Sequence, residues 1–209
     1  MATYFVLAYG MSIVLWLPVL TGRRSYFFFS LGTFGPTLAA LATRRVFYRD
    51  WRAVQLWSTL RDLMSGVAIG ASAVMIAAFT AAFFMTKSGI DRWQWASLTQ
   101  ILTLFLPNLR GGPLGEDAGW RGFALPRLQR SFNPVTSSLL PGFLWANWHL
   151  PLIVTHVYNI TWWQFTPLTM AASVFLSLGF YRSGGSILCT VIVHGLYNVG
   201  MGIVLNDME

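Results

Sequence analysis

Acidic residues are scarce in this chain, with seven Asp and Glu among 209 residues. Charge of either sign is sparse as well: 10% of residues carry it, against about 25% in an ordinary soluble domain. That shortfall argues against a water-soluble globule. The 55% hydrophobic content, with 16% aromatics, points to lipid as the solvent. A lone cysteine, Cys189, excludes an intrachain disulfide framework. It sits in an apolar run and reads as a small buried residue. The N-terminal run lacks a basic start and a clear small-residue cleavage site, so it reads as a retained span. No linker, low-complexity tract or short repeat divides the sequence, and residues 1–209 are expected to form a single integral membrane domain.

Charge-free runs cover Met1–Gly22, Ser25–Thr43, Leu63–Thr86, Trp93–Leu109, Ser131–Tyr181 and Ser183–Asn206. A spanning helix needs about 20 mostly apolar residues. Ser131–Tyr181 is long enough for two, with a break near Thr155–Trp163. The expectation is an all-α polytopic bundle of roughly seven spans. Between the second and third runs, Arg44–Leu63 mixes arginines with Phe47, Tyr48, Trp51 and Trp57. That mixture suits an interfacial amphipathic helix, with an ordinary cytoplasmic loop as the alternative.

The net charge of +7 does not signal nucleic acid, because the basic residues punctuate the apolar runs and form no stripe. With the N-terminus inside, ten arginines fall on the cytoplasmic side against four basic residues outside. Arg23 and Arg24, adjacent on the outer side, argue against that orientation.

Polar groups inside such a chain are functional candidates by default. Glu116 is the one glutamate before the final residue, and Asp117 follows it. Gly111, Gly112 and Pro113 just upstream can end one helix and start another, placing Glu116 in an early turn. Asp117 and Arg121 are four apart and can pair on one helical face, leaving Glu116 free to face a cavity. A capping network at the membrane surface is the bland alternative. His194 and Asn198 are also four apart, so one imidazole and one amide can address a single oxygen; helix packing is the alternative use. His149 follows Trp145 by four, and Pro151 is expected to end or kink that helix. His156 reads as interfacial.

A carboxylate and two imidazoles from three segments are what water activation needs. The carboxylate takes a proton, one histidine positions the water, and the second histidine with an amide stabilises an oxyanion. Desolvation raises a buried carboxyl toward a useful base range. The chain has no His-Glu-x-x-His and no Gly-x-Ser-x-Gly. Ser186 and His194, on one helix, would stand about 12 Å apart, too far for a hydrogen bond. Asp117 has no second intramembrane aspartate for an aspartyl mechanism. Glu116, His149 and His194 form a set that a divalent metal such as zinc accepts, but separate segments do not require one.

Three stretches, in this order, resemble the CAAX prenyl protease and bacteriocin-processing (Abi) family of intramembrane endopeptidases. Glu116-Asp117-Ala118-Gly119-Trp120-Arg121 resembles its Glu-Glu-x-x-x-Arg, Trp145 to His149 its aromatic-x-x-x-His, and His194 to Asn198 its His-x-x-x-Asn. The strings GWRGFALPRLQ and WANWHLP are similar to one prokaryotic subgroup. The resemblance covers Gly115–Asn198; the motif-bearing core is expected over 110–205.

It implies a polar cavity opening to the cytoplasm, within a helical membrane core. Glu116 and His149 would activate water, His194 and Asn198 would hold the oxyanion, and Asp117, Arg121 and Trp145 would support them. The implied substrate is a peptide or lipidated protein, the implied surroundings are membrane lipids, and the implied location is a prokaryotic plasma membrane. Two departures stand out. Asp117 replaces the second glutamate, which is tolerable if it only anchors Arg121. Trp145 replaces Phe, which is expected to alter packing more than chemistry. A non-catalytic membrane binding or immunity protein is the leading alternative, and a small transporter is a third reading.

Overall fold

The computed structural model describes residues 1–48, 59–69, 71, 72, 75 and 98–206. Every regular element among them is helical, in agreement with the all-α expectation. α1 spans Ala2–Leu20. The run Ser25–Thr43, expected as one span, is instead two short helices, α2 (Tyr26–Thr33) and α3 (Gly35–Thr43), which meet at Phe34. Pro36 gives the physical reason. It has no N–H for the carbonyl of Gly32, and its ring disfavours helical geometry just before it. α3 continues into a π-helical turn, Arg44–Tyr48. The expected interfacial helix and the run Leu63–Thr86 lie largely outside the described residues; 60–69 forms α4.

α5 is Leu98–Arg110. α6 (Pro113–Gly119) runs through a π-helical turn, Trp120–Ala124, into α7 (Leu125–Leu128). The long apolar run divides as its length requires. α8 (Pro134–Trp148) and α9 (Leu150–Val154) precede the break, and α10 (Trp162–Arg182) follows it. The starts of the two long helices are capped. Asn133 accepts from the Thr136 amide at 2.9 Å, and Thr161 with Gln164 forms a capping box. α11 is Ile187–Asn206.

α6 sits at the centre, against α3, α5 and α11, while α8 lies along α10 and α1 along α2 and α3. Two glycines let α6 come that close. A Cβ on Gly115 would lie 2.7 Å from the Thr33 carbonyl group, and one on Gly119 would lie 2.4 Å from Pro36 backbone. Small residues four apart are how membrane helices bring backbones together. Thr37 Oγ1 adds a hydrogen bond to the Gly115 carbonyl at 2.6 Å.

Polarity is arranged inside out. Glu116, Asp117, Arg121, His149 and His194 are each at most 5% exposed, while Val6, Val14, Phe27, Leu106, Val135, Val154 and Trp163 are exposed. A soluble monomer rarely shows so much apolar surface. Among the described residues, α1 is the one helix long and apolar enough to cross a membrane. Only 28% of its most apolar window is buried, which is unlike the core helix of a soluble protein.

Candidate active site

Local sequence sets the position of the carboxylates. Gly111 and Gly112 follow the end of α5, and Pro113, which needs no amide partner, opens α6. The Gly112 carbonyl accepts from the amides of Gly115 (2.9 Å) and Glu116 (3.0 Å). Glu116 therefore lies in the first turn, as its sequence context predicts. One residue later Asp117 is fully buried and spends both oxygens. Arg121 Nη1 donates to Oδ1 at 3.0 Å, and His194 Nδ1 donates to Oδ2 at 3.2 Å. The pair four apart forms as helix geometry requires. Asp117 thus anchors more than the arginine: it also fixes the ring of His194, which comes from α11.

Trp145 on α8 joins the pieces. Its indole Nε1–H donates to Glu116 Oε2 at 2.5 Å. Its ring lies under the Arg121 guanidinium at 4.4 Å, and His194 meets it edge-on at 5.0 Å. The expectation that Trp for Phe alters packing more than chemistry is therefore corrected, because phenylalanine has no N–H to give Glu116. A buried indole normally finds a partner for its N–H, and that rule was the available signal.

His149 lies at the junction between α8 and α9, where Pro151 leaves the Asn147 carbonyl without its usual amide. Its Nδ1–H donates to the Trp145 carbonyl at 2.8 Å. A carbonyl only accepts, so in the neutral ring Nε2 is left as an acceptor. Trp148 (4.6 Å), Phe165 (5.0 Å) and Tyr158 (5.6 Å, nearly parallel) wall the imidazole.

Asn198 lies one turn beyond His194. The point where a Cβ on Gly112 would sit is 2.9 Å from Glu116 Oε1 and 3.7 Å from Asn198 Nδ2. The carboxylate and the amide therefore flank one small space, which Gly112 keeps open. Gly112 is thus more than a helix breaker: its lack of a side chain leaves room beside Glu116 Oε1. Asn147 is turned away: its amide donates to the Phe143 carbonyl at 2.8 Å, and it lines an apolar hollow with Tyr9, Leu150, Pro151 and Val154. His156 is exposed, in the turn after α9.

Glu116 belongs to the connector between α5 and α8, outside the long apolar runs. Burial, the largest influence, pushes its pKa from 4.5 up to about 7. The Trp145 hydrogen bond and the Arg121 charge pull the other way. Among the described residues, no group of three His, Cys, Asp or Glu side chains is arranged to hold a metal ion. Glu116, His149 and His194 do not meet as a three-ligand group among the described residues.

Residues 98–200 match the family model described as Rce1-like, type II CAAX prenyl endopeptidase. That segment holds Glu116, Asp117, Arg121, Trp145, His149, His194 and Asn198. CAAX prenyl protease 2 of Methanococcus maripaludis is 26% identical over 98 residues, a match covering 43% of this chain and 36% of that protein. The chain thus aligns with just over a third of the curated relative's length.

Proposed function

From the likeness of residues 98–200 to the type II CAAX prenyl endopeptidase family model and from the geometry of the site, we propose that the chain is an intramembrane endopeptidase driven by glutamate-activated water. One observation carries the reading. Glu116 Oε2 is held by the Trp145 indole, while Oε1 faces the space it shares with the Asn198 amide. The carboxylate is oriented through one oxygen and free to react through the other.

In the proposed reaction, Glu116 Oε1 takes a proton from water while His149 Nε2 accepts the water's second hydrogen and orients it. The water oxygen bonds to the scissile carbonyl carbon, and the carbonyl oxygen becomes an oxyanion. Asn198 Nδ2 donates to that oxyanion. His194, its ring fixed by Asp117, adds an Nε2–H donor when it carries both protons. The C–N bond then breaks, and Glu116 returns its proton to the leaving amine. Asp117 and Arg121 do not touch the reacting atoms; they hold His194 and Trp145 in place. The substrate is a peptide or the tail of a lipidated protein, reached from the cytoplasmic side of a prokaryotic plasma membrane, with the N-terminus on the same side.

Purified protein in detergent, given fluorogenic peptides with and without a prenylated cysteine, tests the reading. Turnover that Glu116→Gln abolishes in a still-folded protein supports it. Saturable peptide binding without turnover would instead indicate a binding or immunity protein.

A further inference from the structure

Tyr158 lies in the turn that joins α9 to α10, and that turn folds back on itself. His156 takes φ 55°, in the left-handed region that few non-glycine residues adopt. The amides of Val157 and Tyr158 then both donate to the Leu152 carbonyl, at 2.9 and 3.1 Å. The chain thereby returns to the junction of α8 and α9. There the Tyr158 ring lies nearly parallel to the His149 imidazole, with centroids 5.6 Å apart and planes at 28°. Two more rings hold Tyr158 in place: Phe165 of α10 at 5.9 Å and Phe29 of α2 at 6.1 Å. Phe29 is itself tied to α1, because the Trp16 indole donates to its carbonyl at 2.9 Å. Both α1 and α2 lie outside the segment 98–200 that the family match covers.

His149 needs a contact of this kind. Its Nδ1–H bond to the Trp145 carbonyl fixes one edge of the ring, and a ring held at one point can still tilt about that bond. Trp148 and Phe165 meet it edge to face, at 82° and 66°. Tyr158 sets a face against its face, an arrangement that aromatic rings favour when offset. That limits the tilt, and with it the direction of the Nε2 lone pair.

We propose that Tyr158 is a positioning residue, carried by the turn 155–161, that sets the plane of the His149 ring and so the direction in which Nε2 accepts. Its effect on catalysis rests on the hydrolytic reading above, in which Nε2 orients the water. Tyr158 acts through His149 and touches neither water nor substrate. The ring carries this role and the hydroxyl has no part in it. Through Phe29, the N-terminal helices help to hold the histidine in place.

Tyr158→Ala removes the ring, and Tyr158→Phe keeps it. In Tyr158→Ala, kcat is expected to fall about ten- to a hundredfold, the scale of a small misplacement of a reacting group. KM should stay within about threefold, because no substrate contact changes. Tyr158→Phe should keep both constants within about twofold of wild type. If wild type cleaves, Glu116→Gln does not, and Tyr158→Ala matches wild type, the inference fails while the hydrolytic reading stands. Equal losses in the two Tyr158 variants also overturn it, since the hydroxyl would then be what matters. A second measurement needs no turnover. Diethyl pyrocarbonate acylates the free lone pair of an accessible neutral imidazole, and the chain has three histidines, so mass spectrometry follows each one separately. Tyr158→Ala should speed modification of His149 several-fold relative to the exposed His156, and Tyr158→Phe should leave that ratio as in wild type. An unchanged ratio in Tyr158→Ala overturns the inference even where no peptide is cleaved. If Tyr158→Ala does not fold, Tyr158→Leu, which fills the turn without an aromatic plane, takes its place with the same outcomes.

Discussion

Replacing Trp145 with phenylalanine isolates a single hydrogen bond at the heart of the site. The variant keeps an aromatic face for Arg121, now 4.4 Å above the ring, and an edge for His194. It loses the indole N–H that Glu116 Oε2 accepts at 2.5 Å. A hydrogen bond to a charged group contributes about 1.5–3 kcal/mol. It favours the ionised carboxyl, so its loss raises the pKa of Glu116 further. At about 1.4 kcal/mol per unit, the rise is about one to two units. Starting from about 7, the midpoint then moves to about 8–9.

Only the ionised carboxyl acts as a base, so activity in both proteins rises with pH through this midpoint. At pH 7 the ionised fraction falls from about half to roughly one to ten per cent, and kcat/KM drops about five- to fifty-fold. Above the new midpoint most of that loss is recovered. The assay is kcat/KM for a cleaved peptide measured from about pH 5 to about pH 10, which reports ionisations of the free enzyme. A midpoint that stays where wild type has it refutes the argument. So does a loss of equal size at every pH, which would mean that Trp145 only positions its neighbours.

Several other perturbations test separate contacts. Glu116 binds its proton more tightly in the folded protein, at about 7 against 4.5. Wild-type stability therefore falls as pH rises through that window, by about 3 kcal/mol, and Glu116→Gln should flatten this slope in thermal unfolding curves. A wild-type profile that is already flat there contradicts the burial argument. Asp117→Ala strands a buried guanidinium and frees the His194 ring; a loss of about 3–5 kcal/mol is expected, and an unfolding midpoint near wild type would show that the anchor is dispensable. Gly119→Ala forces a methyl to 2.4 Å from Pro36 backbone and should cost about 1–3 kcal/mol with no change in the pH midpoint. Chelation should leave turnover intact, because side chains carry every step; activity lost on chelation and restored by added zinc would overturn the metal-free scheme.

Those contacts also show which relations were legible in the sequence. Asp117 with Arg121, and Trp145 with His149, were readable because each pair is four apart and helix geometry is local. The break between α8 and α10 followed from the length of the apolar run, and the kink after Trp148 from Pro151. Pro36 carries the same kind of signal for the split between α2 and α3, which the unbroken apolar run around it masks. Relations between distant segments were harder. Nothing in periodicity places His194 Nδ1 on Asp117, 77 residues away; only the order of the resembling stretches brought those two segments together. The Trp145–Glu116 bond is not legible from side-chain volume alone, because an indole also brings a donor that must be satisfied when buried.

The two adjacent carboxylates divide their work according to how many oxygens each has left. Asp117 commits Oδ1 to Arg121 and Oδ2 to His194, which leaves neither oxygen for a reacting proton. Its shorter side chain reaches both partners, Arg121 one turn on and His194 on the neighbouring α11. Glu116, about 100° further round the helix, commits one oxygen to Trp145 and turns the other toward Asn198 across the gap at Gly112. A buried carboxylate with a spare oxygen is costly to stability and useful to chemistry. The substitution of aspartate for the second glutamate therefore falls on the residue that anchors, and leaves the residue that would react unchanged.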